Sequence, residues 1–184
     1  MSCALDCPYL EEAHRRERYR GLDAEQAPNR DVELSERFLQ ERQALATFAG
    51  FSLLDAALST SGAVDSDVRE ALESLIRTYR TRESGLYYET RPTNLIAGAI
   101  HQRVQQGFEQ YRERQRARTG VNTVRDADIL GVLVFWQRLA LVRNNGRRLG
   151  RPFLASLRDS LAQAGLSLGP GGWETRGASP LIVP

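Results

Sequence analysis

The sequence predicts an all-α protein, a compact bundle of five or six helices with a flexible C-terminal tail. Three observations carry that reading. Apolar residues recur every three or four positions through most of the chain, and no segment shows the strict alternation of a half-buried strand. Residues 129–142 are apolar on nearly every side, interrupted only by Gly131, Gln137 and Arg138, as expected of a helix enclosed by neighbours. Clusters of Gly, Pro, Ser, Thr and Asn fall between the periodic segments, where helices start and stop.

Each element has its own justification. Asp6 can cap a first helix over 7–20, with Pro8 in its opening turn, where proline is tolerated. Its stripe is thin (Tyr9, Leu10, Ala13, Tyr19), which places it at the periphery. After Pro28 a long helix is expected from Asn29 to about Ser59, with Leu34, Phe38, Leu45, Phe48, Leu53, Leu54 and Leu58 inward and a kink near Gly50. A third helix, 65–82, carries Val68, Leu72, Leu75, Ile76 and Tyr79 on one side. Residues 84–94 form a loop, because Arg91 precedes a proline and avoids the helical region.

Thr93 or Asn94 caps a fourth helix to Arg118, whose stripe runs from Ile96 to Tyr111. Beyond Tyr111, the residues from Arg112 to Arg118 project into solvent until Thr119-Gly120 closes the helix. Thr123 with Asp126 resembles a capping box for the central apolar helix, about 125–143, which stops at Asn144-Asn145-Gly146. Pro152 opens a last helix to about Ala164, with Phe153, Leu154, Leu157 and Leu161 inward. The chain thus divides into a helical domain, 1–164, and a segment 165–184. That segment is a Gly/Pro-rich linker ending in the apolar peptide Pro180-Leu181-Ile182-Val183-Pro184.

Composition excludes several chemistries. All 25 basic side chains are arginine, so lysine Schiff bases and phosphate-loop lysines are absent. Arginine without lysine fits the codon bias of a GC-rich bacterial genome. The net charge of +2 gives no global pull toward a polyanion. Cys3 and Cys7 are spaced C-x3-C without a second pair, and His14 alone cannot complete a four-ligand zinc site, so neither metal nor cofactor is expected. The apolar run of 14 residues is shorter than the ~20 that span a bilayer, and no secretory leader is evident. A soluble, cytoplasmic protein is expected.

Catalytic residues are not evident. His14 and His101 are the only histidines, and no nucleophile motif, phosphate-cradling glycine loop or dinucleotide fingerprint occurs. A di-iron carboxylate bundle needs two Glu-x-x-His pairs, and Glu11 with His14 is the only one. Binding is therefore favoured over catalysis.

Three candidate sites follow. Leu181, Ile182 and Val183, tethered by a glycine-rich linker, suit a peptide that docks on a protein partner. In arrangement, though not by any sequence motif, this resembles the C-terminal targeting peptides of encapsulin cargo proteins. Arg143, Arg147, Arg148 and Arg151 gather where the central helix ends, and Asn144 and Asn145 add donors for an anion or nucleic-acid backbone. Tyr87, Tyr88, Glu89 and Arg91 place two phenols, a carboxylate and a guanidinium just before a helix N-terminus, a ligand loop. The leading expectation is a non-catalytic interaction or adaptor protein that uses its tail or an apolar helix face. A nucleic-acid or anion-binding module at 143–151, and a small-ligand binder or enzyme at 87–94, are the alternatives.

Overall fold

The computed structural model describes residues 27–121, 123–169 and 172–175. The expected first helix, Cys3, Cys7, His14 and the apolar peptide at 181–183 lie outside them. Six helices are described: α1 (Glu36–Glu41), α2 (Gln43–Leu58), α3 (Asp65–Glu83), α4 (Leu95–Thr119), α5 (Asp126–Val142) and α6 (Pro152–Gln163). The all-α bundle holds, with one addition. Residues expected to be aperiodic linker include β1 (Leu166–Gly169) and β2 (Gly172–Thr175), an antiparallel pair with Leu166 opposite Thr175. Among the described residues no helix is long and apolar enough to cross a membrane.

The apolar helix is central, as its sequence requires. In α5, Ile129, Leu130 and the run from Gly131 to Val134 are all buried, so neighbours enclose it on every side. It packs mainly against α3 and also against α2. Two glycines make room for aromatic rings from neighbouring helices. A Cβ on Gly50 would overlap the Trp136 indole, and one on Gly131 would overlap the Phe38 ring. Trp136 also donates to the Ala46 carbonyl at 2.9 Å. Gly50 is therefore a contact point inside an unbroken α2, not the expected kink.

The long helix expected over 29–59 breaks elsewhere. Ser35 caps α1 by accepting from the Phe38 N–H. Arg42 leaves helical geometry and reaches Asp128 at 3.1 Å. Residues 28–32 are not helical, because Arg138 gathers them. Its guanidinium donates to the carbonyls of Pro28, Asn29 and Val32 at 3.2, 2.8 and 3.2 Å. Asn29 adopts φ 52°, a left-handed conformation that asparagine tolerates. Its amide bonds Gln137 and its carbonyl oxygen accepts from Arg80. The arginine that interrupts the apolar run is thus a tether for an incoming segment.

Aspartates organise the helix starts. Val64 and Arg125 stand at the N-caps of α3 and α5 and offer no capping oxygen; Asp67 and Asp128, three residues on, reach back to their N–H groups at 2.9 and 3.2 Å. The expected box at Thr123 and Asp126 is replaced by this reverse bond from Asp128. Burial pushes the Asp128 carboxyl up, but the Arg125 and Arg42 guanidiniums outweigh it and hold it below the usual carboxylate range. Asp65 acts at longer range. It accepts from the N–H groups of Phe153 and Leu154 at 2.8 and 3.1 Å, capping α6 from a residue 88 positions away.

α3 and α4 run parallel. Asp67 meets Asn94 near one end and Arg82 meets Glu109 near the other, both separated by 27 positions. The connection must therefore travel back along α3, and residues 86–94 do so as an extended strap. A polar stripe on α3 receives it. Thr81 donates to the Tyr88 carbonyl, Thr78 accepts from the Thr90 N–H, Ser74 donates to the Thr90 carbonyl, and Glu70 accepts from the Asn94 N–H.

The Asp65 cap gives a direct test. Replacing Asp65 with Ala strands two buried N–H groups, each worth roughly 1–3 kcal/mol. Urea unfolding of Asp65→Ala is expected to show a loss of about 3 kcal/mol, with α6 amides exchanging faster than those of α4.

Candidate functional site

The segment 143–151 is a braced turn. Asn144 accepts from the Gly146 N–H at 3.0 Å and Asn145 from the Arg147 N–H at 3.1 Å, so these side chains shape the loop through their carbonyl oxygens. Gly146 takes a left-handed φ of 71°. The Gly150 carbonyl accepts from the Asp65 N–H, fastening the turn to the start of α3. Pro152 then opens α6 as expected.

Some of the described arginines meet carboxylates and others do not. Arg37, Arg42, Arg77, Arg80, Arg82, Arg91, Arg112 and Arg125 all reach carboxylates. Arg143, Arg147, Arg148 and Arg151 make no ion pair or side-chain hydrogen bond among the described residues; Arg143 is half-buried, and the other three are exposed. No acidic residue occurs anywhere between Asp128 and Asp159, so nothing in the local sequence neutralises them. Leu149 projects beside them, 79% exposed.

The stretch 112–118 does not extend this patch. Arg112 is committed to Asp126 at 2.6 Å and lies over the Tyr79 ring. That contact places the end of α4 at the start of α5, whereas the turn follows the end of α5. A helix of that length separates them by roughly 25 Å.

The loop at 87–91 is a strap rather than a pocket. Tyr87 is 90% and Tyr88 70% exposed, and Glu89 pairs with Arg91 at 3.2 Å. The α4 N–H groups that would attract an anion are taken by Asn94, which accepts from Ile96 and Ala97. His101 is buried, and its Nε2 has no partner among the described residues. Burial holds its imidazole below the ordinary histidine range against the opposing pull of Glu89. Among the described residues no group of His, Cys, Asp and Glu could hold a metal.

Two concavities stand out among the described residues. A groove of about 440 Å³ between α2 and α4 is lined by Thr47, Phe48, Phe51, Tyr111 and Gln115, with Phe48 and Tyr111 rings 4.6 Å apart. A cleft of about 350 Å³ lies between the end of α2 and the first turns of α6, with Arg151 and Arg158 on its rim. Sequence reading missed Arg158. Its signal was the spacing of Arg151, Leu154, Ala155 and Arg158, one face of a helix.

His101 predicts an acid-sensitive fold. Its folded-state pKa is depressed, so the unfolded chain takes up a proton first. Stability is full above about pH 6.5 and falls as pH drops through that value. Between pH 7.5 and 5.5 the wild-type chain is expected to lose up to about 1 kcal/mol more in urea unfolding than His101→Leu.

Comparison with known protein families, with curated proteins and with solved structures finds no match for this chain.

Proposed function

We propose that this protein is a non-catalytic binding module, bacterial and cytoplasmic, that docks a phosphate-rich polyanion, the backbone of a nucleic acid, on the turn at 143–151. One observation carries the reading: among the described residues the turn gathers four arginines without ion pairs, in a stretch from Ile129 to Arg158 that holds no carboxylate. Guanidinium matches phosphate bidentately, and a braced loop loses little entropy when it binds. Contacts of this kind position a backbone without reading its sequence.

A second reading has its own support. The groove between α2 and α4 is lined by Phe48 and Phe51 among uncharged side chains. It suits an apolar segment of a protein partner, so the adaptor role stays in view through this helix face. The peptide at 181–183 is the other route to such a role.

Two measurements test the polyanion reading and the tail. Fluorescence anisotropy with labelled single- and double-stranded oligonucleotides is expected to show binding that weakens with salt. In Arg147→Ala/Arg148→Ala the salt slope on double-stranded DNA should fall by about 2, near 0.9 per lost phosphate contact. No binding at low salt, or equal binding by the variant, removes the polyanion reading. Deleting residues 179–184 tests the tail. Loss of partner capture at an unchanged melting temperature supports docking by the peptide, and a large drop in melting temperature shows that it belongs to the fold.

A further inference from the structure

We propose that the cleft between the end of α2 and the first two turns of α6 binds a small amphipathic anion, an aliphatic chain carrying one carboxylate or phosphate headgroup. The floor is apolar. Leu54, Ala57 and Leu154 are buried there, while Leu58 at the lip is 55% exposed, one of few large apolar side chains left uncovered. At about 350 Å³ the space lies within the range of small-molecule sites.

The rim supplies the charge. Arg151 and Arg158 stand two helical turns apart, roughly 10 Å along α6, with Leu154 and Ala155 between them on the same face. Arg151 forms no ion pair among the described residues, and the carboxylate nearest Arg158 is Asp159 at 3.7 Å, beyond hydrogen-bond reach. The α6 N-terminus is not the anion site, since Asp65 already occupies the N–H groups of Phe153 and Leu154. Asp65 is itself buried and fully engaged there, so it leaves the Arg151 guanidinium without a bonded partner. Thr60 donates to the Ala56 carbonyl. A headgroup is therefore held by guanidinium, and the chain covers Leu58 and Ala155. Neither part suffices alone: a neutral chain lacks the charge-assisted bond, and a short anion lacks the apolar burial.

The test titrates the full chain with octanoate, octyl phosphate, 1-octanol and acetate, read by calorimetry and by amide shifts. At least one of the two anionic amphiphiles is expected to bind and to shift Leu58, Ala155 and Arg158, and the tighter one identifies the headgroup. Octanol and acetate should bind at least tenfold more weakly. Arg151→Gln/Arg158→Gln should weaken binding tenfold or more, and Ala155→Trp, at an exposed position, should abolish it by filling the cleft. Melting temperatures near wild type exclude unfolding as the cause. Octanol binding as tightly as the anions, shifts confined to other residues, or wild-type affinity in either variant overturns the proposal. Arg147→Ala/Arg148→Ala is expected to leave amphiphile affinity unchanged, so failure here and failure of the polyanion reading are separable.

Discussion

Four residues at the start of α3 hold the starts of three helices. Asp67 accepts from the Val64 N–H and from the Asn94 amide, closing α3 and fixing the N-cap of α4. Asp65 accepts from Phe153 and Leu154, and its own N–H holds the Gly150 carbonyl. Both carboxylates are buried, where an unpaired charge would be costly. They persist because each oxygen meets a donor: backbone N–H groups at helix starts for both Asp65 oxygens and for Asp67 Oδ2, and the Asn94 side-chain amide for Asp67 Oδ1. For Asp65 burial still dominates and raises its carboxyl above the usual range despite those bonds. The arginine turn and the cleft both hang from this node, since Gly150 precedes Arg151 and Pro152 directly.

Arginine does the corresponding work for the rest of the chain. A planar fork with five donors can serve several carbonyls at once, which a lysine ammonium does with less geometric definition. Arg138 gathers three carbonyls from a segment more than a hundred residues away. Arg80 holds the same segment through Asn29 and Asp31. Arg82 and Arg112 both lie over the Tyr79 ring while pairing with Glu109 and Asp126. A chain that uses arginine as internal fastening gives its unfastened arginines more weight than bare composition does.

Much of the fold was legible because apolar periodicity records burial directly. The stripes of α3, α4 and α6 and the all-round apolar α5 are read from spacing alone. What spacing did not show was partnership. Gly50 reads as a helix weakness, yet it is small because Trp136 lies on it. Thr123 and Asp126 have the spacing of a capping box, but Asp128 is the residue that reaches back. The parallel course of α3 and α4 was written in a second stripe: Asp67, Glu70, Ser74, Thr78 and Thr81 recur at three and four positions. A polar stripe at helical spacing, three of whose members are buried, marks a face that receives backbone rather than solvent. The hairpin was hidden by its glycines, although two short runs separated by Pro170-Gly171 carry a turn signal. For the candidate site, the sequence located the cluster of arginines, and the structure adds that none of the four meets a carboxylate among the described residues.

An unpaired arginine on a surface costs little, so its presence alone argues weakly for a ligand. The case at 143–151 rests on two further constraints. The first is the missing acid: from Ile129 to Arg158 the chain carries arginines and no carboxylate, although acidic and basic residues are nearly balanced overall. The second is rigidity. Two asparagine side chains, a left-handed glycine and the bond from Asp65 to Gly150 fix the backbone that presents these charges. A loop serving only to connect two helices has no need of bracing at so many points. A loop that presents guanidiniums to a rigid anion gains from it directly, because the entropy of ordering the backbone is spent on folding rather than on binding.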